Sequence, residues 1–460
     1  MRGAQIAALA DAPDGVAEAL AAVDGFDDAL VHGLARLDEE REAALAALAG
    51  AVGATPLGGA AADAAAKVTA GSVAEDALAA LAGGRAAVLG AVHDALLASA
   101  DEALGRERAA WDADAATGDA HANLLGGCRA WLTELAVTGW RGVDHDLVSG
   151  ADRTVEAVLA EPALRRLGVL LDGLAGELRA SCPVGTLERL PVRRWADLWT
   201  RAVLLAARGP WSAAAARAVS GRLLPLGVDV HEHPTAVGVE VHAILEESGG
   251  SSRLVRTSLL APKTDTIVGP AVWRLLAGFP VLLGALAERR GLVVTDLPLT
   301  PGGDLIWDDE RAAAGDPADP FVTARVGLAA ALAPPVPPLD RHPVRISEPV
   351  LLEGYRVKDG RFELDGQSLA VETDRLPAAG PLTEALVKAS SVCIGLLRSD
   401  AGGWSVRPLA VRATVRKAPV EAHNGDWALG PTDPKVQKAE AKAGDSVAVL
   451  RERAGRLLRA

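Results

Sequence analysis

The chain has 460 residues, half of them hydrophobic and only 3% aromatic, with a formal net charge of −13 at neutral pH. That length exceeds one ordinary domain of roughly 100 to 200 residues, and a core so poor in rings has to be built from Ala, Leu and Val. The acidic balance opposes non-specific nucleic-acid binding, which needs clustered cations to displace counterions, and favours solubility.

Cys128, Cys182 and Cys393 are far apart and form no CxxC pair, which argues for a reducing compartment and against a disulfide framework or a cysteine-ligated zinc module. The opening Ala/Leu stretch is interrupted by Asp11 and Asp14, too early for a secretory signal. The longest uncharged run, residues 43–62, is mostly Ala and Gly and is broken by Thr55-Pro56. A bilayer span needs roughly 18 to 20 strongly apolar residues. A cytoplasmic protein without a membrane segment is the expectation.

Up to about Leu224 the periodicity is helical. Leu30, Leu34 and Leu37, then Leu45 and Leu48, recur at helical spacing and predict one run over residues 26–51. A second is expected over 73–111, broken near Gly83-Gly84, with 53–62 as the loop between them. Thr117-Gly118-Asp119 reads as a helix start with Asp119 as N-cap. Helices follow at 130–137, 147–159 and 162–178. An amphipathic helix then carries Trp195, Trp199 and Val203, and a last helix is expected over 211–224.

Beyond Pro225, Val228, Val230, Val237, Val239, Val241 and Ile244 alternate with polar residues, the period of half-buried strands. Residues 253–260 read as the returning strand, 269–289 as helix, 292–295 as a short strand and 316–332 as a segment carrying a helix. The Pro-rich connector 333–338 is stiff and extended. After it, 344–357, 361–371, 390–397 and 403–415 read as strands, with 358–361 as a tight hairpin and 382–388 as a short helix. Residues 435–460 read as one basic helix. The fold class is therefore α+β: an alanine-rich helical N-terminal half, then a strand-rich C-terminal half with a small β module and a basic C-terminal helix. The divisions expected are 1–111, 112–224, 225–332, 339–430 and 435–460.

His231 and His233 share one face of a strand, and His242 on an adjoining segment could complete a metal site. This is the alternative reading of a metal-dependent enzyme; exposed edge histidines are the plainer one, since Pro234 breaks the strand. Asp144-His145-Asp146 and Asp119-Ala120-His121 read as caps and solvated turns. There is no G-x-S-x-G elbow, phosphate loop or dinucleotide fingerprint. No catalytic motif stands out, and no cofactor is expected.

Trp195 and Trp199 share a helix face, as core or as an interaction anchor, with Arg193-Arg194 just before them as a solvated helix start. Lys435, Lys438, Lys442, Arg451 and Arg453 make the tail a local charge inversion. It suits an acidic protein surface, including this chain's own N-terminal region, or alternatively nucleic acid, as does the β module if it is a small barrel.

The segment Arg193-Arg-Trp-Ala-Asp-Leu-Trp-Thr-Arg-Ala-Val, and later Asp265-Thr-Ile-Val-Gly-Pro-Ala-Val-Trp-Arg-Leu-Leu, resembles stretches of actinobacterial proteins. Those proteins are encoded beside SWIM zinc-finger proteins, MoxR-type AAA+ ATPases and von Willebrand factor A proteins. The resemblance covers roughly residues 120–430. The chain has no CxC…CxH ligands, Walker motifs or DxSxS pattern, so the resemblance implies the accessory member of such a set. It implies a non-enzymatic adaptor with protein partners, an AAA+ ATPase and an A-domain protein among them.

Overall fold

The computed structural model describes residues 1–112, 121–208, 216–233, 235–400 and 403–457. The chain is α+β, with helices in the N-terminal half and two sheets in the C-terminal half. The N-cap expected at Asp119 and residues 211–215 of the last expected helix lie outside the described residues.

After the short α1 (Gly3–Ala8), three helices, α2 (Val16–His32), α3 (Glu39–Ala51) and α4 (Gly58–Thr69), pack around the 30-residue α5 (Glu75–Leu104). Leu78, Leu81, Ala82, Val88 and Leu89 form the buried face of α5. The helix runs straight through Gly83-Gly84, where a break was expected. Leu81, Ala82, Val88 and Leu89 are buried on both sides of the pair, and their burial outweighs the roughly 1 kcal/mol that each glycine costs inside a helix. By length and composition α5 could cross a bilayer, but 61% of its most apolar window is buried inside the protein.

The run expected over 26–51 is divided. α2 stops at Gly33, which adopts φ +89° where it crosses Gly139 (φ +75°), and a Cβ on Gly139 would lie 2.2 Å from the Gly33 nitrogen. The Leu34 N–H then donates to the Ala136 carbonyl at 2.8 Å. Part of the loop expected over 53–62 is in fact the first turn of α4.

Five more helices follow: α6 (Ala122–Thr138), α7 (His145–Ser149), α8 (Asp152–Ala160), α9 (Arg165–Ser181) and α10 (Val192–Arg208). One apolar core runs through this half from Val23 to Ala206.

The first sheet has the order β3-β2-β1-β4-β5, all antiparallel, from β1 (Arg217–Glu232), β2 (Ala236–Glu247), β3 (Ser252–Pro262), β4 (Arg290–Leu299) and β5 (Ala312–Pro317). The helix expected to reach Leu224 is corrected here, since β1 already begins at Arg217. Arg217–Leu223 pairs with β4, and with β2 as well from Gly221 onward, and that pairing overrides the helical look of its Ala-rich approach. Pro225 lies within β1 at a register shift against β2, one of the few places a sheet tolerates proline. α11 (Val272–Leu275) and α12 (Pro280–Glu288) cover the face bearing Val228, Val230, Val239 and Val241.

α13 (Pro320–Gly327) precedes the connector. The second sheet is built from β6 (Ser347–Glu353), β7 (Arg356–Lys358), β8 (Arg361–Leu364), β9 (Gln367–Val371), β10 (Ser390–Asp400), β11 (Gly403–Val415) and β12 (Ala418–His423). Its order is β6-β10-β11-β9-β8-β7, with β12 also on β11, and only the β9–β11 pairing is parallel. The expected hairpin is there: Asp359 and Gly360 both take positive φ between paired Lys358 and Arg361, the geometry of a two-residue type I′ turn. α14 (Glu384–Lys388) leads into β10.

Leu226, Ile244 and Leu254 of the first sheet meet Leu351, Ile394 and Ala410 of the second, with Phe321 of α13 between them. Ile6 and Leu9, from the α1 end of the chain, enter the core of the second sheet. The Pro-rich connector is held to the helical half as well: the Ala333 N–H donates to the Glu107 carbonyl and its own carbonyl accepts from Ala109, both at 2.9 Å. The basic tail is two helices, α15 (Pro434–Ala443) and α16 (Ser446–Leu457), separated by Gly444 at φ +79°.

Candidate functional site

Most buried cations of this protein are spent on carboxylates. Arg407 of β11 donates to Asp229 of β1 and to Glu372, each at 2.9 Å. Arg106 and Arg108 hold Glu348 at 2.7 and 3.0 Å. Glu348, Glu372 and Asp229 all titrate below the ordinary carboxylate range. Burial alone would raise each of them; the His231 contact lowers Asp229, the Ser405 hydroxyl lowers Glu372, and the arginines lower all three.

A different arrangement occupies the junction of the helical half and the connector. Arg165 and Arg166 open α9, Arg201 projects from α10, and Asp340 and Arg345 follow the Pro-rich connector. With Val169, Leu170, Leu205 and Leu339 they line a recess of about 390 Å³. Leu339 packs against the helical core, which fixes where Asp340 falls. One oxygen of Asp340 lies 3.7 Å from Arg345, 3.8 Å from Arg166 and 3.9 Å from Arg201. A guanidinium hydrogen bond closes at about 2.7 to 3.2 Å, so all three share the carboxylate without bonding it. Arg201 also approaches Asp197 at 3.3 Å. The Arg345 guanidinium loses hydration in this setting and faces the Arg201 charge, and both effects lower its pKa from the ordinary arginine value.

Asp197 continues the chain of charges inward. Its carboxylate lies 3.7 Å from His342 Nε2 and 3.9 Å from Arg85 Nη1, two buried nitrogens without a hydrogen-bond acceptor. His342 Nδ1 accepts from the Val344 N–H at 3.3 Å, which leaves the proton on Nε2. Burial, only partly offset by Asp197, pushes the His342 pKa down to about 4. Arg85 also grips Asp27 through two bonds of 2.6 and 2.9 Å. Burial raises the Asp27 pKa despite that cation.

The histidines considered as metal ligands are not brought together. His231 lies 3.0 Å from Asp229, and His242 lies 3.0 Å from Glu240. His242 pairs in register with Gly227, four positions along β1 from His231, a separation of about 13 Å at the strand rise. His233 is exposed beyond the end of β1. No cluster of three metal-binding side chains occurs among the described residues. Asp144 caps α7 by accepting from the Leu147 N–H at 2.9 Å.

Trp195 and Trp199 lie inside the helical core, 1% and 0% exposed, so neither indole is open to a partner. The Trp199 N–H donates to the Leu132 carbonyl at 2.9 Å, and that of Trp195 to Glu177 at 3.1 Å. Arg193 pairs with Asp24 and Arg194 with Glu177.

In the tail, Lys435, Lys438, Lys442 and Arg453 are exposed, and Arg451 donates to the Arg274 carbonyl at 2.8 Å. Val436, Val447 and Leu450 pack into the core of the first sheet. The tail thus docks beside α11 and α12 rather than on the N-terminal region, and Arg274 answers its acidic Glu440 and Asp445 at 2.8 and 3.5 Å.

The recess was not singled out from the sequence. Its traces there are Arg165-Arg166 at the head of an apolar helix and the charged run Asp340-Arg341-His342-Pro343-Val344-Arg345 after the connector. No protein-family model, curated protein or solved structure matches the chain.

Proposed function

We propose that this protein is a non-enzymatic interaction protein that receives an anionic group of a protein partner in the arginine recess. One observation carries the reading: Arg166, Arg201 and Arg345 converge on a single carboxylate oxygen at distances too long for hydrogen bonds. Arginine keeps its charge at every working pH and neither takes nor yields a proton. A site built from guanidiniums therefore suits recognition better than proton transfer. Arg clusters are a recurrent means of reading acidic or phosphorylated motifs.

The partners proposed are those the family resemblance implies, a MoxR-type AAA+ ATPase and a von Willebrand factor A protein, in a cytoplasm where Cys128, Cys182 and Cys393 remain thiols. The test is an affinity pull-down from the native host with the wild-type chain and with the Arg166→Glu/Arg345→Glu variant. Recovery of an ATPase or A-domain protein by the wild type alone is the expected result. Equal recovery by both would remove the recess from the interaction, and recovery of neither partner by the wild type would sink the adaptor role.

A further inference from the structure

We propose that the group held in the recess is a phosphate monoester rather than a carboxylate; this rests on the anion-binding reading above. The first argument is charge. Four arginines and one aspartate line the recess, leaving a surplus of three positive charges (4 − 1) on a chain whose formal net charge is −13. A carboxylate brings one negative charge. A phosphoryl group brings about 1.5 to 2 at neutral pH, with three strong acceptor oxygens to distribute among several donors.

The second argument is unspent donors. The side chains of Arg166, Arg201 and Arg345 reach Asp340 only at 3.7 to 3.9 Å. They are gathered around one point, and none of the three closes a hydrogen bond on the carboxylate there. Arg201 is only 8% exposed and spends its Nε on Asp197 at 3.3 Å, which leaves its Nη1 facing the recess 3.9 Å from Asp340. A multidentate anion at the recess mouth would supply the missing acceptors.

The third argument comes from helix physics. The positive end of a helix dipole favours acidic residues in the first turn. α9 has no acidic residue there and instead begins with Arg165-Arg166. These two charges add to the field of the helix end instead of neutralising it, which disfavours the empty helix and favours an anion beside it.

The neutral wall points to what carries the phosphate. Leu170, Leu205 and Leu339 line the recess, and Val169 stands 58% exposed among them. A short aliphatic stem fits against that wall while its phosphoryl head meets the guanidiniums. A phosphorylated side chain of a partner and a small free phosphate monoester share that chemistry.

Calorimetric titration of the full chain at constant ionic strength tests this with four probes. They are inorganic phosphate, glycerol 3-phosphate, a phosphothreonine peptide and the same peptide with glutamate in place of phosphothreonine. Phosphate and at least one monoester should bind, with the glutamate peptide weaker by about tenfold, since its carboxylate brings one negative charge against about 1.5 to 2 and one acceptor oxygen fewer. The Arg166→Glu/Arg345→Glu variant alters two half-exposed side chains and should lose binding while keeping its circular dichroism. Asp340→Asn removes the competing carboxylate and should tighten phosphate binding, a gain that a merely structural role for Asp340 would not produce. A preference for the phosphopeptide would assign the source to a protein, and a preference for glycerol 3-phosphate to a free metabolite; both support the proposal. Binding of the glutamate peptide with no response to phosphate would overturn the phosphate assignment and leave the anion-binding reading standing. No response to any probe would overturn both.

Discussion

Arg407 of the second sheet donates to Asp229 of the first at 2.9 Å, and the two side chains are 6% and 4% exposed. The same guanidinium holds Glu372, so one cation bridges two carboxylates. Arg407→Leu leaves both without it and should lower the unfolding free energy by about 3 to 5 kcal/mol, the usual effect of breaking a buried pair. Arg407→Lys restores the charge but not the two-sided fork and should recover less than half of that loss. Denaturant unfolding followed by circular dichroism reads both values. A loss under about 1 kcal/mol for Arg407→Leu would show the pair to be dispensable.

Arg85 and Asp27 pose the complementary case. They are 0% and 3% exposed and joined by two hydrogen bonds in the middle of an apolar core. Burial raises the Asp27 pKa despite that cation, and taking two charges out of water offsets much of what a buried pair gains. Arg85→Leu alone should cost about 3 to 5 kcal/mol by stranding Asp27, while Arg85→Leu/Asp27→Leu should be neutral or stabilising. A double variant as unstable as the single one would contradict this reading.

His342 gives the protein an acid sensitivity with a definite sign. Its folded pKa, about 4, lies below the unfolded value of 6.5, so between those values the unfolded chain binds more protons. Stability from the neutral imidazole is therefore complete above pH 6.5 and is lost as the pH falls toward 4. At about 1.4 kcal/mol per pH unit the contribution comes to about 3 kcal/mol. His342→Asn should flatten the stability profile across that window. An unchanged slope would mean that His342 is protonated in the folded state.

The larger architecture was legible because period and composition do not depend on neighbours. The division into helical and strand-rich halves, the Asp359-Gly360 turn and the Asp144 cap all follow from local signals. What escaped depends on partners distant in sequence. Arg217–Leu223 is a strand because β4 pairs along it and β2 joins from Gly221, α2 ends because Gly33 meets Gly139, and α5 survives two glycines because residues on both sides of them are buried. Ile6 and Leu9 gave no sign that they belong to the core of the second sheet.

The candidate site was less legible for the same reason. Arg166, Arg201, Asp340 and Arg345 come from three separate segments and meet only in the fold. The residues that drew attention were conspicuous by rarity: two tryptophans in a chain poor in aromatics, and three histidines near one another. Rarity reported packing in the first case. In the second, adjacency in sequence did not bring the side chains together, because β1 separates His231 from the residue that pairs with His242.

The C-terminal helices offer a last test, since their lysines are exposed while Val436, Val447 and Leu450 pack inward. Val447 is 1% exposed, with Val436 and Leu450 packed beside it, and Arg274 pairs with Glu440 and Asp445 of this segment. Removing residues 434–460 should expose that apolar face and cost about 3 kcal/mol, given roughly 1.5 to 3 kcal/mol for each fully buried aliphatic side chain and less for the half-buried ones. The truncated chain should bind an apolar dye more strongly and melt earlier in a thermal scan. A nucleic-acid-binding tail makes a different prediction: retention on DNA at low salt that disappears with the truncation and falls steeply with added salt. Exposed Lys435, Lys438, Lys442 and Arg453 would supply that attraction, but the two docked helices also carry Glu440, Asp445 and Glu452. The expected result is therefore a loss of stability with no change in DNA retention. Salt-sensitive retention confined to the intact chain would make the tail a binding element instead of a buttress.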